Sequence, residues 1–127
     1  MSELVNVRYI VNDVEAAIRF YTAQLGFRVD FHPAPGFARL AKGQLRLLLN
    51  SPGAGGAGQA RDGAAPVPGG WNRIQLDVSN LADLVAGLRA SGCRFRGDIV
   101  HGNGGDQILI EDPSGNLIEL FEAHQRR

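Results

Sequence analysis

The residues able to do chemistry are few and scattered. A single thiol, Cys93, opens an apolar run. Three histidines stand apart: His32 abuts Pro33, His101 opens the stretch Gly102-Asn103-Gly104-Gly105, and His124 lies in the C-terminal tail. No Ser-His-Asp or Cys-His arrangement emerges that would activate a nucleophile. One cysteine admits neither a disulfide framework nor a cysteine-based zinc site within a chain. At the head of an apolar strand it reads as a small, buried, inert core residue. Gly102–Gly105 would offer backbone N–H groups to an anion. No helix follows it, however, so it lacks the strand-to-helix form of a phosphate loop and reads as a hairpin turn. Asp112-Pro113-Ser114-Gly115-Asn116 is likewise turn chemistry that needs no catalytic role.

Bulk composition narrows the classes of function. The chain has 127 residues, enough for one domain with a real core. Its 13 Lys and Arg balance its 13 Asp and Glu. Without a basic face it is no general nucleic-acid binder, and without a polybasic segment it is no surface-anchored membrane protein. No apolar run approaches the length of a membrane span. The start, Met1-Ser2-Glu3-Leu4, lacks the basic and apolar regions of a signal peptide. A soluble cytoplasmic protein is the expectation.

The elements that must position any site repeat once. Asn12-Asp13-Val14 through Leu25-Gly26-Phe27-Arg28 is matched by Ser79-Asn80-Leu81 through Ser91-Gly92-Cys93-Arg94, about 66–67 residues later. In the first half, Val5–Val11 alternates as a strand and Asp13 caps a helix. Its stripe is Val14, Ala17, Ile18, Tyr21 and Leu25, and Gly26 stops it. Strands are expected at Phe27–Phe31, Phe37–Ala41 and Gln44–Leu49, with turns at Pro33-Ala34-Pro35-Gly36 and Lys42-Gly43. Ser51–Gly70 is Gly, Ala and Pro with almost no apolar bulk, and reads as a mobile linker. The second half begins with a strand at Asn72–Val78. Asn80 then caps a helix in a capping-box-like pair with Asp83, with Leu81, Leu84, Val85 and Leu88 buried. Further strands are expected at Cys93–Arg96, Ile99–Val100, Gln107–Glu111 and Leu117–Glu122, and the tail from His124 onward should fray. The fold class is therefore α+β. Two tandem βαβββ modules, at about 4–50 and 71–123 of one domain, join their sheets around a concave cleft with the helices outside. Such concave surfaces are where ligands bind.

Two segments carry a family resemblance. Asp13-Val14-Glu15-Ala16-Ala17-Ile18-Arg19-Phe20-Tyr21 with Leu25-Gly26-Phe27, and Glu111-Asp112-Pro113-Ser114-Gly115-Asn116-Leu117-Ile118-Glu119-Leu120-Phe121, resemble the vicinal oxygen chelate superfamily. That superfamily takes in glyoxalases, bleomycin-resistance proteins and extradiol dioxygenases. Its fold hosts unrelated activities, so function must be argued from the site.

The resemblance implies where a divalent metal would sit: on four side chains, usually His or Glu, from the first and last strand of each module. Those positions map to Asn6, Arg46, Arg73 and Glu119. Only Glu119 is a good ligand, because a guanidinium has no lone pair to give and repels a cation in a partly buried site. No cofactor is expected, and a divalent metal is disfavoured. Counting alternate residues from these positions puts Asn6, Arg8, Arg46, Leu48, Arg73, Gln75, Asp77, Glu119 and Phe121 on the concave face. Trp71 and Phe37 stand near its mouth, either stacking on a ligand or packing the rim. Two readings of this face are compatible. Glu119 pairs internally with Arg46 or Arg73, or an arginine fork holds a polar or anionic organic ligand. The resemblance thus implies a homodimeric, metal-free small-molecule binder of the bleomycin-resistance type. The rival is a glyoxalase, isomerase or dioxygenase using a relocated metal or Glu119 as general base, with Arg73 or Arg46 stabilising an enolate.

Overall fold

The computed structural model describes residues 3–124. The chain divides between Gly69 and Gly70 into two compact units. Unit 1 runs β1 (Val5–Ile10), α1 (Val14–Leu25), β2 (Arg28–Ala34), β3 (Phe37–Lys42) and β4 (Leu45–Asn50). Its sheet order is β1-β4-β3-β2, with β1 and β4 parallel and the rest antiparallel. Period-2 alternation sorts the sheet into two faces. Tyr9, Ala38, Leu40, Leu47 and Leu49 are buried on the face that receives Val14, Ala17, Tyr21 and Leu25 of α1. The ring of Tyr21 meets Phe27 edge-on at 5.5 Å, a favoured aromatic geometry. Both ends of α1 are closed locally. Asp13 Oδ1 accepts from Ala16 N at 3.0 Å, and Gly26, at φ 75°, returns its N–H to the Tyr21 carbonyl.

Unit 2 runs β5 (Arg73–Asp77), α2 (Leu81–Ala90), β6 (Arg94–Phe95), β7 (Val100–His101), β8 (Gly105–Glu111) and β9 (Leu117–Ala123). The sheet order is β5-β9-β8-β6, with β7 also on β8. Ile74, Ile108, Ile110, Ile118 and Leu120 are buried, as are Leu81, Val85 and Leu88 of α2. Each unit is therefore a βαβββ module; in unit 2, β6 and β7 act as one edge strand interrupted between Phe95 and Val100. Both pair with β8, at opposite ends of it.

Several expectations change. Strand β2 continues through Pro33 to Ala34, leaving only Pro35 and Gly36 for the turn. As an edge strand β2 tolerates a residue with no N–H to donate. Ile18 and Leu84 are half-buried rather than core. Asn80 stands at the N-cap of α2 and pairs with Asp83 as expected, but its side chain accepts no helix N–H. Its amide binds Asp83 at 2.9 Å, and the Leu81 N–H is received by Glu122 Oε1 of β9, also at 2.9 Å. Cys93 is half-buried, not core, and that partial burial pushes its thiol pKa up, with Arg94 opposing. Between Ser51 and Gly70 the regular structure is one short 3₁₀ turn, Gly55–Ala57.

The tail also differs from expectation. The His124 N–H donates to the Gly104 carbonyl, and its Nε2 lies 3.0 Å from Asp106 Oδ1. His101 Nδ1 meets the same oxygen at 2.9 Å. The rest of the tail lies outside the described residues.

The hydrogen bond to Asp106, more than burial or charge, raises the pKa of His124 above its ordinary 6.5. The reciprocal bonds from His124 and then His101 hold Asp106 below 3.8. A raised histidine stabilises the fold below its unfolded pKa, and that contribution is lost as pH climbs through the folded value. A lowered carboxylate stabilises above its unfolded pKa, and loses this as pH falls through the folded value. The cluster is thus fully formed between roughly pH 4 and 6. Thermal melts across pH should show wild type more stable than His124→Gln in that window, with the gap closing above neutrality. A gap independent of pH would contradict this.

Candidate functional site

The sheet face not covered by a helix in each unit carries the polar residues. In unit 1 the register aligns Asn6 with Arg46 and Ala41, Arg8 with Leu48 and Arg39, and Ile10 with Asn50 and Phe37. Residues in register share a face, so Asn6, Arg8, Arg46 and Leu48 are brought together. Asp30 of β2 draws three arginines: Arg39 Nε at 2.7 Å, Arg46 Nε at 3.6 Å and Arg28 Nη1 at 3.7 Å. The Arg39 hydrogen bond leads in holding its carboxyl below the usual range, against partial burial and with the three positive charges adding. Arg46 also donates through Nη1 to the Gly43 carbonyl at 2.8 Å. Phe37, half-buried, meets Phe31 edge-on at 6.5 Å.

In unit 2 the open face carries Arg73, Gln75 and Asp77 on β5 beside Glu119 and Phe121 on β9. Glu119 is buried and doubly held. Oε1 accepts from Arg73 Nε at 3.0 Å, and Oε2 from Gln75 Nε2 at 2.7 Å. Of the two partners anticipated for Glu119, the structure shows Arg73. Trp71 is 64% exposed, with the Arg96 guanidinium 5.1 Å from its ring centroid. Arg96 in turn binds Glu111 Oε2 at 2.7 Å.

The two units are not in equivalent register. The Val11 N–H binds the Asn50 carbonyl, four residues beyond Arg46; the Val78 N–H binds that of Phe121, two beyond Glu119. Counted from the helices, Leu48 rather than Arg46 is therefore the counterpart of Glu119. Its lateral partner is Gln75, as that of Leu48 is Arg8.

Sequence reasoning missed Asn50, Asp30, Phe31, Arg39, Arg96 and Glu111. Asn50 was within reach, since it stands two residues beyond Leu48 with the same parity. Asp30 and Phe31 were not, because β2 shifts register on either side of Phe31 and parity fails there.

A divalent ion does not fit the mapped positions. In unit 1 the register puts Leu48, which has no donor atom, where Arg46 was mapped; in unit 2 Arg73 has no lone pair and the one carboxylate already accepts from Arg73 and Gln75. Among the described residues, no three His, Cys, Asp or Glu side chains gather to hold a metal ion. Removing the carboxylate should destabilise the fold instead. Glu119→Ala would leave Arg73 and Gln75 without their acceptor, at about 1–3 kcal/mol once the partial exposure of Arg73 is allowed for. Urea unfolding measures this, and an unchanged midpoint would show the pair to be idle.

Residues 3–120 match the model of the Glyoxalase/Bleomycin resistance protein/Dioxygenase superfamily. The chain belongs to that superfamily. Solved structures of the same fold include a superfamily member from Sphaerobacter thermophilus, 26% identical, at TM-score 0.77 over 96% of this chain and 98% of that one. A lactoylglutathione lyase from Agrobacterium tumefaciens is 19% identical, at TM-score 0.75 over 96% and 94%. TnmS3, an antibiotic binding protein from Streptomyces, is 24% identical, at TM-score 0.72 over 97% of each chain. No curated protein matches the chain significantly. The superfamily's tandem βαβββ plan is present, and no helix among the described residues is long and apolar enough to cross a membrane.

Proposed function

We propose that this superfamily member is a cytoplasmic small-molecule binder that holds a polar or aromatic ligand against its open sheet faces without a metal. The observation that carries this is the double engagement of Glu119. At the position where metal-dependent relatives place a ligand, the carboxylate is neutralised by Arg73 and hydrogen-bonded by Gln75. Sequestration needs a polar, partly apolar face and no Lewis acid. The likeness to an antibiotic binding protein supports the same reading. A general base would need Glu119 released from both donors, which the buried geometry disfavours. We further propose a homodimer, supported by the exposed Val29 and Phe31 on edge strand β2. Sedimentation would measure this directly.

Melting the purified protein against a panel of metabolites and antibiotics tests the function, because ligands of the folded state raise the melting temperature with affinity and concentration. Saturable stabilisation by an organic compound in the presence of chelator is the expected result. Turnover of a glyoxalase or dioxygenase substrate that dies with Glu119→Gln would overturn it.

A further inference from the structure

The open face of unit 1 holds one arginine whose charge no carboxylate answers. Arg28, Arg39 and Arg46 all converge on Asp30. Arg8 forms no ion pair among the described residues. It donates through Nε to Asn50 Oδ1 at 2.9 Å. A guanidinium only donates, so the oxygen of the Asn50 amide must face it, and Nδ2 is the atom left over. Asn50 is wholly buried, and Nδ2 has no hydrogen-bond partner. A buried donor left unmade is expensive and uncommon in a native fold.

Both groups adjoin one place. A Cβ added to Gly56 would lie 3.1 Å from Arg8 Nη2 and 3.5 Å from Asn50 Nδ2. What stands over them is the 3₁₀ turn Gly55–Ala57, which brings backbone and no side chain at that point. On the sheet beneath, Asn50 is in register with Phe37, and Arg8 lies in the row of Leu48 and Arg39. Phe31 meets Phe37 edge-on. The environment therefore combines a positive charge, an orphaned amide donor, a glycine where any side chain would press on both, and two rings. What it lacks is an acceptor for Asn50 Nδ2.

We propose that Arg8 and Asn50 form the recognition point for a small aromatic anion. Its carboxylate or other anionic oxygen accepts from Arg8 and from Asn50 Nδ2 beside Gly56, and its ring lies against Phe37. The inference rests on the small-molecule reading above and assigns it an anchor in unit 1, on residues other than the Arg73–Glu119 pair. Charge-assisted bonds of this kind are the strong ones, and a carboxylate matches the guanidinium fork.

The test is a titration of the ¹⁵N-labelled protein with sodium benzoate and, in parallel, with neutral benzyl alcohol, read on the Asn50 Nδ2–H and Arg8 Nε–H resonances. Benzoate should shift both saturably and benzyl alcohol should not. Gly56→Val, on a surface turn outside the sheet, should fill the site and weaken benzoate by about tenfold or more, as should Arg8→Met. Benzoate that leaves both resonances unmoved, or binds equally well to Gly56→Val, overturns the assignment. Failure here leaves the broader reading standing if compounds from the melting panel still bind both variants with wild-type affinity. If nothing in that panel binds wild type, the broader reading itself has failed.

Discussion

Replacing Gly105 with alanine should cost about 2–4 kcal/mol, because the added methyl group has nowhere to go. Its Cβ would collide with the Glu122 carbonyl, sit 2.6 Å from Phe121 Cζ and press to 3.0 Å on the Ala123 Cα. Two of the three obstacles are backbone of β9, which is locked between β8 and β5 and cannot yield as a side-chain tip would. The usual benefit of Gly→Ala, less freedom in the unfolded chain, is worth only about 0.4–1 kcal/mol and does not offset this. The glycine lets the Phe121 ring lie over the strand, so the site is expected to suffer along with the fold. Urea denaturation measures the loss, and Gly104→Ala one residue earlier, where a Cβ meets nothing, is the control. Equal stability of the two variants would refute the packing argument.

The second large effect is at Asp112. Its carboxylate is fully buried and gathers the turn between β8 and β9. Oδ1 accepts from the Ser114 and Asn116 N–H groups, both at 2.9 Å, and Oδ2 from Asn116 Nδ2 at 3.1 Å. Asp112→Ala strips three donors of their acceptor, two of them on buried Asn116. A loss of about 3 kcal/mol or more is expected. Asp112→Asn keeps one oxygen and should lose roughly half as much. Because the turn sets the start of β9, loosening it also loosens the register that places Glu119 beside Gln75. The Arg73–Glu119 hydrogen bond should therefore weaken in the alanine variant, visible as faster exchange of the Arg73 Nε–H. An alanine variant as stable as wild type would reduce the motif to loop chemistry without structural consequence.

The backbone plan was legible because its signals are local. Asp13 and Gly26 close a helix within one turn, the apolar positions follow periods of 3.6 and 2, and the second copy repeats them. The composition of Asp112–Asn116 named its own turn. The site was legible only in part, and the failures have one cause: they depend on contacts far apart in sequence. Glu122 receives the Leu81 N–H across 41 residues, which nothing near Asn80 announces. Asp106 collects His101 from β7 and His124 from just past the end of β9, so histidines that look isolated in sequence share one oxygen. Asp30 reaches its arginines because β2 slips register, and a slip breaks the alternation on which parity counting relies. The same limit affects the comparison of the two halves. Aligning Leu45-Arg46-Leu47 with Ile118-Glu119-Leu120 respects sequence, but the sheets pair two residues apart.

Metal binding at Glu119 separates the two readings of this superfamily member most directly. The measurement is equilibrium dialysis of the chelator-stripped protein, and of Glu119→Gln, against Zn²⁺, Ni²⁺, Mn²⁺ and, under anaerobic conditions, Fe²⁺. The prediction is no stoichiometric uptake by either protein at micromolar free metal, since the carboxylate is held by Arg73 and Gln75 and the Arg73 guanidinium beside it has no electron pair to offer. Tight uptake of one ion per chain by wild type, lost in Glu119→Gln, would contradict it.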